Sequence, residues 1–229
     1  MALNMPGLFP PRGELQANFD WIDIVGATGF IVFDGFNCPD SSGNNYVLMR
    51  EAESKDVVNS ANKYNIGAGN ETAYFTRGTG TGSGGNPTNA LDLDFNTSEL
   101  QLPVILKGEA KVKIGIGADS ANQVANCTIT AKLRKWDGSS ETEIVSVSSN
   151  TATLTANIEY SETFSLSVPL TLIKKGEQIR LTIQIATEDV DKVGLAHNPN
   201  DTATTIGGTA GVSAGNSRLV LVLPIKINI

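Results

Sequence analysis

Three observations predict an all-β protein, an antiparallel β-sandwich of the jelly-roll type with an extended N-terminal arm and long loops. Apolar and polar residues alternate in four runs within Leu102–Ala186. A period of two places alternate side chains on opposite faces, so each run is a strand with one buried and one solvated face. Turn-forming residues separate the runs. Finally, only 18% of residues are charged, and the lysines and glutamates typical of exposed helices are scarce.

The alternating runs supply the predicted core. Asp137-Gly138 and Lys175-Gly176 are turn pairs between neighbouring antiparallel strands, and Ile144–Val147 is predicted as one more strand. The residues predicted to face inward are Ala110, Val112, Ile114, Ile116, Cys127, Ile129, Ala131, Leu133, Phe164, Leu166, Val168, Leu170, Leu172, Ile179, Leu181, Ile183 and Ile185.

The N-terminal stretch Met1–Asn18 has no periodicity and contains Pro6, Pro10 and Pro11. Consecutive prolines fix φ and favour an extended backbone. We therefore predict an extended arm over residues 1–18, followed by one β-sandwich domain over residues 19–229. An arm that lies on a neighbouring subunit makes Pro10 and Pro11 interface candidates, whereas the alternative is a frayed terminus.

The region between the arm and the core is predicted to hold short strands, loops and one helix. Glycines split the apolar run Trp21–Phe36 into two short strands. Gly78–Asn89 is rich in glycine and has no lysine, so it is predicted as a flexible loop rather than a phosphate-binding loop. The other predicted elements are strands at Tyr46–Met49, Glu71–Thr76 and Leu91–Phe95, and a short helix near Glu51–Asn62.

The last part of the chain combines an irregular segment with a strand. Thr187–Asn216 has almost no periodicity and is predicted as a long loop. Leu219–Ile229 is a continuous apolar strand with Val220 and Val222 on its second face. Two apolar faces are typical of a central strand, or of one that packs on another subunit, so these valines are interface candidates. Because Pro224 lacks an N–H, it interrupts the ladder or marks an edge.

The reactive side chains form no catalytic constellation, so the sequence predicts no enzyme activity, no catalytic residue and no cofactor. The single histidine, His197, lies in the irregular segment, where a turn residue is favoured over a catalytic base. Zinc sites need clustered His and Cys, which this composition does not supply. Cys127 is on the inward face of its strand, so a buried free thiol is favoured over a disulfide with Cys38.

Carboxylates provide the only metal candidates. Asp92, Asp94 and Asn96 alternate as at the start of a calcium-binding loop. Thr97 and Pro103, however, stand where that loop requires Gly and Glu, and interleaved apolar residues favour the wet face of a strand. No metal is therefore assigned, and the three residues stay weak calcium candidates. Glu188, Asp189, Asp191 and Asp201 form a second candidate group in the irregular segment.

The chain carries a formal net charge of −7, with scattered basic residues. Nucleic-acid binding requires a basic surface to offset phosphate charge, so no nucleic-acid partner is expected. No apolar run is long enough to span a bilayer, and no secretory signal is recognisable. We therefore expect no membrane contact and folding in a cytoplasm.

Five features together resemble the β-sandwich structural proteins of virions. They are the Pro-rich arm, the Gly-split strands, the loops rich in Thr, Gly, Ala and Asn, the scarcity of His and Cys, and the terminal strand LVLVLPIKINI. The resemblance is to capsid decoration and minor head proteins of tailed bacteriophages in particular. It implies a non-enzymatic, jelly-roll-like homo-oligomer, with a trimer favoured, that docks on other capsid proteins through its arm and loops. Its location would be the virion, assembled in the host cytoplasm.

Three other functions are weighed against this one. A carbohydrate- or calcium-dependent binding module of the adhesin type would need Trp136 and Tyr74 exposed beside a carboxylate cluster. A single jelly-roll capsid protein is similar in length, but such proteins often carry basic arms, whereas this arm has one arginine, Arg12, and one acid, Glu14. A hydrolase with paired carboxylates is the least favoured.

Overall fold

The alternating runs form the longest strands of the protein, as their period of two predicts. A computed structural model describes residues 29–38, 43–51, 54, 75–80, 87–119, 124–149, 152–155, 159–188, 192–206 and 210–227. Its strands are β1 (Gly29–Asn37), β2 (Tyr46–Arg50), β3 (Phe75–Thr79), β4 (Thr88–Asn96), β5 (Val104–Asp119), β6 (Val124–Trp136), β7 (Glu141–Ser148), β8 (Ala152–Thr155), β9 (Glu159–Ile173), β10 (Gln178–Thr187), β11 (Lys192–Ala196), β12 (Thr204–Ile206), β13 (Ala210–Val212) and β14 (Leu219–Ile227). The four runs become β5, β6, β9 and β10, which confirms the all-β prediction.

One hydrogen-bonded sheet of 12 strands folds over into the two layers of a sandwich. In the first layer, β5 pairs along one edge with β9 and along its other edge first with β14 and then with β11. From β14 the layer continues to β1 and β2. The second layer has the order β4, β10, β6 and β7. Among the described residues, the ladders are antiparallel except where Val47 of β2 pairs with Asn96 of β4, which joins the layers.

The inward side chains of both layers form one apolar core. Each large aliphatic side chain removed from water contributes about 1.5–3 kcal/mol, so this shared core holds the layers together. The largest fully buried side chains are Phe36, Phe95, Leu106, Ile114, Ile116, Ile129, Leu133, Leu166, Ile173, Ile179, Leu181 and Ile183. Most of the residues predicted to face inward are confirmed as core.

The prediction is wrong for two core residues, because the alternation of inward and outward side chains shifts by one residue along β9. Leu170 and Leu172 are 70% and 46% exposed, whereas Ile173 is buried. Val168 pairs with Gly108 and Thr171 with Leu106, so β9 has one more residue than β5 in this interval. Such a β-bulge reverses which side chains face inward. The alternation of buried and exposed side chains that begins at Phe164 therefore reverses after Val168.

The C-terminal strand lies in the interior of the first layer, between β1 and β5. Its residues Leu219, Leu221, Leu223 and Ile225 are buried in the core. The pairing with β5 shifts register between Val222 and Ile225, as the proline between them predicted. A central strand with one face in the core is thus confirmed.

The prediction of one long loop at Thr187–Asn216 is wrong, because this segment contains β11, β12 and β13. Short strands of glycine and small residues carry little periodic signal, and only pairing partners reveal them. Gly78–Asn89 is likewise not all loop, because its described ends belong to β3 and β4.

The arm at residues 1–18, its boundary with the domain, Tyr74 and most of the predicted helix lie outside the described residues. Within the described residues, no helix has the length and apolar character needed to cross a bilayer.

Candidate functional site

The outer surface of the first layer carries the interface candidates of the last strand. Val220 pairs with Lys113 of β5, and Val222 pairs with Lys111. On its other side Val222 lies opposite Val32 of β1. Both valines are half-buried. We call this surface the β14 face; the outward residues that define it are Phe30, Val32, Ile105, Lys111, Lys113, Thr163, Leu170, Leu172, Val220, Val222 and Pro224.

A shallow depression of about 320 Å³ opens on the β14 face. Its lining consists of Lys111, Lys113, Thr163, Asp201, Arg218, Val220 and Val222. The two valines provide apolar contact area, and the lysines and the arginine place three cations around it. Asp201 in the same lining adds a negative charge, so the apolar valines are surrounded by charges of both signs.

The two lysines are held in place by neighbours on the surface. Lys111 Nζ lies 2.9 Å from Glu109 Oε1, and this contact lowers the pKa of Glu109. Lys113 Nζ donates to the carbonyl oxygen of Gly215 at 2.5 Å. An exposed ion pair of this kind contributes little stability and rearranges readily.

A second, apolar part of the β14 face lies where β5 begins. Phe30 is 65% exposed and pairs with Pro224 of β14. Ile105 pairs with Leu172, and the phase change in β9 turns Leu170 and Leu172 outward. We call Phe30, Ile105, Leu170 and Leu172 the apolar end of the face. Phe30, Leu170 and Leu172 are exposed, whereas Ile105 is half-buried and is paired with Lys226 of β14. Exposed apolar side chains of this size typically mark an association surface.

A buried ion pair fixes the start of β14 beside the depression. Arg218 donates to Asp34 Oδ1 from Nη2 at 2.6 Å and from Nε at 3.1 Å. Ser54 donates to the second oxygen of Asp34 at 2.5 Å, and Glu51 lies 3.2 Å from Arg218. Because the Asp34 side chain is almost fully buried, these donors compensate its lost hydration.

Two turns pack together to form the rim of the depression. Asp201, with a φ of 54°, accepts hydrogen bonds from Gly215 N at 3.0 Å and Ser217 Oγ at 3.2 Å. Glu159 of β9 accepts from the Ser213 backbone and hydroxyl and from Asn216 Nδ2, and these donors lower the pKa of Glu159. Side-chain hydrogen bonds therefore hold the rim in place. The sequence did not predict this order, because the segment has no hydrophobic periodicity.

The single histidine lies directly after β11 and before the turn at Asn198–Asp201, and its side chain is buried. His197 is fully buried, and its Nε2 lies 2.9 Å from Thr76 Oγ1, which lies 2.8 Å from the Tyr46 hydroxyl. Its ring packs edge-on against Tyr46 and Phe95 at 5.8 and 6.0 Å. Burial lowers the pKa of His197 to about 4, so the ring is neutral at pH 7.

The calcium candidates lie on the outer surface of the second layer, as the alternation predicted for a strand. Asp94 accepts from Thr182 at 2.5 Å and from Arg180 at 3.3 Å. Asn96 accepts from Arg180 at 2.7 Å, and Asp92 accepts from Gln184 at 2.9 Å. Each of these side chains thus already accepts a hydrogen bond from a side chain of β10, and the three residues stay weak calcium candidates to which no metal is assigned.

Trp136 and the cysteines are similarly engaged in the fold. The Arg180 guanidinium lies 4.3 Å from the centre of the Trp136 ring, so a cation covers the only predicted sugar platform that the structure describes. Cys38 and Cys127 are both buried and free, which confirms the predicted unpaired thiols. Burial raises the pKa of Cys38 to about 11 and of Cys127 to about 12. Neither thiol is therefore nucleophilic at pH 7.

Comparison with known proteins gives only distant similarity. No protein-family profile matches the chain, and no curated protein matches it in sequence. An α-amino acid ester hydrolase has a TM-score of 0.48 and 12% identity, over 70% of this chain and 33% of the hydrolase. A CocE/NonD family hydrolase from Staphylococcus aureus has a TM-score of 0.48 and 9% identity, over 86% of this chain and 37% of that one.

Viral capsid proteins are among the weak structural neighbours. The VP2 subviral particle of infectious bursal disease virus has a TM-score of 0.28 and 11% identity, over 66% of this chain and 38% of VP2. The chain thus spans little more than about a third of the length of these three proteins. Similarity at this level assigns no activity, because one fold hosts many functions.

Proposed function

We propose that this protein is a non-enzymatic structural component of a virion, a homo-oligomer that docks on a capsid shell as a decoration or auxiliary head protein. The observation that carries the proposal is the β14 face. It presents large exposed apolar side chains at one end and the Val220–Val222 depression at the other. Surfaces of this type serve association rather than chemistry.

The reactive side chains of the described residues support a non-catalytic role. His197 is neutral at pH 7 and enclosed by aromatic rings. Both thiols are buried and protonated at pH 7. Asp94 and Glu141, two carboxylates on the outer surface of the second layer, are both bound by Arg180.

Light scattering after size exclusion tests the association. We expect the mass of an oligomer, with a trimer favoured, and dissociation when Leu170 and Leu172 are both replaced by serine. Replacement of Glu143 by serine, on the outer surface of the second layer, serves as the matched control and should leave the oligomer intact. A wild-type protein that is monomeric at all concentrations would contradict the proposal.

The virion assignment needs a separate measurement. Quantitative mass spectrometry of purified particles should find this polypeptide in a copy number that is a multiple of its oligomeric state. Particles that lack the polypeptide would overturn the assignment to a virion, even if the protein proved to be an oligomer.

A further inference from the structure

Three side chains tie the edge strand β3 to the rest of the sandwich. His197 Nε2 lies 2.9 Å from Thr76 Oγ1, and that oxygen lies 2.8 Å from the Tyr46 hydroxyl. Thr76 belongs to β3, Tyr46 begins β2, and His197 directly follows β11. We call this chain of hydrogen bonds the hydroxyl relay. Through it, β3 is held to β2 by side chains, although no ladder connects these two strands.

The hydroxyl relay lies where the two layers meet. The rings of Tyr46 and Phe95 pack edge-on with their centres 5.2 Å apart, and the His197 ring packs edge-on against both. Each of these aromatic residues directly precedes a member of the Val47–Asn96 pair, which joins β2 to β4. A change in the charge of His197 therefore acts at the junction of the layers.

Among the strands around His197, β3 is the one with the least pairing. Within the described part of the chain, β3 has a ladder with β11 alone. The other neighbours, β2, β4 and β11, are paired along both edges. A strand held along one edge opens at a lower free energy than the core strands. Lifting β3 is therefore the least costly way to bring water to the His197 ring.

We infer that the hydroxyl relay is an acid-sensitive switch, in which protonation of His197 releases β3 while the core strands stay paired. The release uncovers the aromatic rings of Tyr46 and Phe95 at the junction of the layers. This inference goes beyond the proposed function and does not depend on it, because every group that it invokes lies in one chain.

The closed protein provides no acceptor for a second proton on the His197 ring. Its Nδ1 has no hydrogen-bond partner among the described residues. The titratable group that faces the ring is Tyr46, at the other end of the hydroxyl relay. The β4 carboxylates Asp92 and Asp94 are bound by side chains of β10 on the outer surface of the second layer. The other charged residues of the adjoining strands and of the turn after His197 are Arg50, Arg77, Lys192 and Asp201.

The size of the effect follows from the two environments of the His197 ring. Burial lowers the pKa of His197 to about 4 in the closed protein, and its own backbone carbonyl offsets only part of that effect. With β3 lifted, the ring is hydrated and has the ordinary pKa of about 6.5. Opening therefore takes up a proton, so its equilibrium constant rises about 30-fold between pH 7.5 and pH 5.

Hydrogen exchange of the full-length protein at pH 7.5 and pH 5, followed by mass spectrometry, tests the switch. After correction for the intrinsic pH dependence of exchange, the protection of β3 amides should fall about 30-fold. Their exchange should not respond to low urea concentrations, because a local opening exposes little surface, whereas exchange of β10 amides should respond. In His197→Gln, the protection of β3 should be equal at both pH values.

A matched control restores a histidine at another position. Thr142 is exposed on β7, so adding Thr142→His to His197→Gln supplies a titrating imidazole away from the relay. This double variant should behave like His197→Gln. A fall of β3 protection in either variant as large as in the wild type would assign the effect to another group and overturn the inference.

Two results from the wild-type protein alone would also overturn it. The first is β3 protection that does not change with pH, and the second is β3 exchange that depends on urea as strongly as that of β10, which would mean that acid acts only through global unfolding. Because the chain has one histidine, its NMR signal is unambiguous. We expect the chemical shift of a neutral ring at pH 5, and a signal that titrates near pH 6.5 would contradict the closed state.

Discussion

Replacing His197 by glutamine should remove most of the loss of stability that the protein suffers between pH 7.5 and pH 5. The His197 ring is fully buried against Tyr46 and Phe95. Its Nδ1 has no hydrogen-bond partner among the described residues, so a proton placed there has no acceptor. Glutamine can still reach Thr76 with its terminal amide in place of Nε2, but it does not titrate.

The sign of the effect follows from the two pKa values of His197. Burial lowers the pKa in the folded protein to about 4, whereas the unfolded chain has the ordinary value of about 6.5. Between these values the unfolded state binds more protons, so the free energy of unfolding falls as the pH falls. Integration from pH 7.5 to pH 5 gives a loss of about 2 kcal/mol for a buried histidine shifted this far. The slope levels off below about pH 4, where both states are protonated.

Urea denaturation at pH 7.5, 6.5, 5.5 and 5.0 measures this effect. The loss of stability in the wild-type protein should exceed that in His197→Gln by about 2 kcal/mol over this range. Carboxylates titrate mainly below this range and change both proteins equally, so the difference isolates the histidine. Parallel pH profiles for the two proteins would show that His197 is not buried as a neutral ring.

Three further substitutions test contacts that only the folded structure creates, each by urea denaturation. Asp34→Ala leaves the Arg218 guanidinium without its buried partner and should cost about 3 kcal/mol, and an unchanged midpoint would contradict that ion pair. Gly115→Ala places a Cβ only 2.0 Å from the carbonyl oxygen of Asn216; it should cost about 2 kcal/mol, whereas a neutral effect would show that the rim does not touch β5. Arg180→Lys keeps the charge but loses the planar fork over Trp136, so it should cost about 1–2 kcal/mol; stability equal to wild type would mean that charge alone suffices.

Only one part of the β14 face could be predicted from the sequence. The second apolar side of the last strand marked Val220 and Val222 as unusual, and the structure places both at a depression on the surface. The apolar end escaped prediction, because a bulge in β9 turned two expected core leucines outward. No local pattern announces a bulge; it follows from pairing β9 with the bent start of β5, where Gly108 has a φ of 125°.

The buried polar residues could not be predicted from the sequence either. Asp34 lies in an apolar, Gly-split run, and its partner Arg218 is 184 positions away along the chain. His197 follows the glycine-containing strand β11, whose periodicity is too weak to predict burial. In both cases the deciding partner is distant in sequence, and only the folded chain brings it into contact.

The sequence by itself determined the class of fold and the composition of the core. A period of two is a local property of β5, β6 and β10, and each strand must bury its apolar side regardless of its neighbours. The tertiary structure alone decided which strands share an edge, where β9 changes phase, and which cations surround Val220 and Val222. Those features depend on register between segments far apart in sequence, and a shift of one residue reverses the face on which every side chain lies.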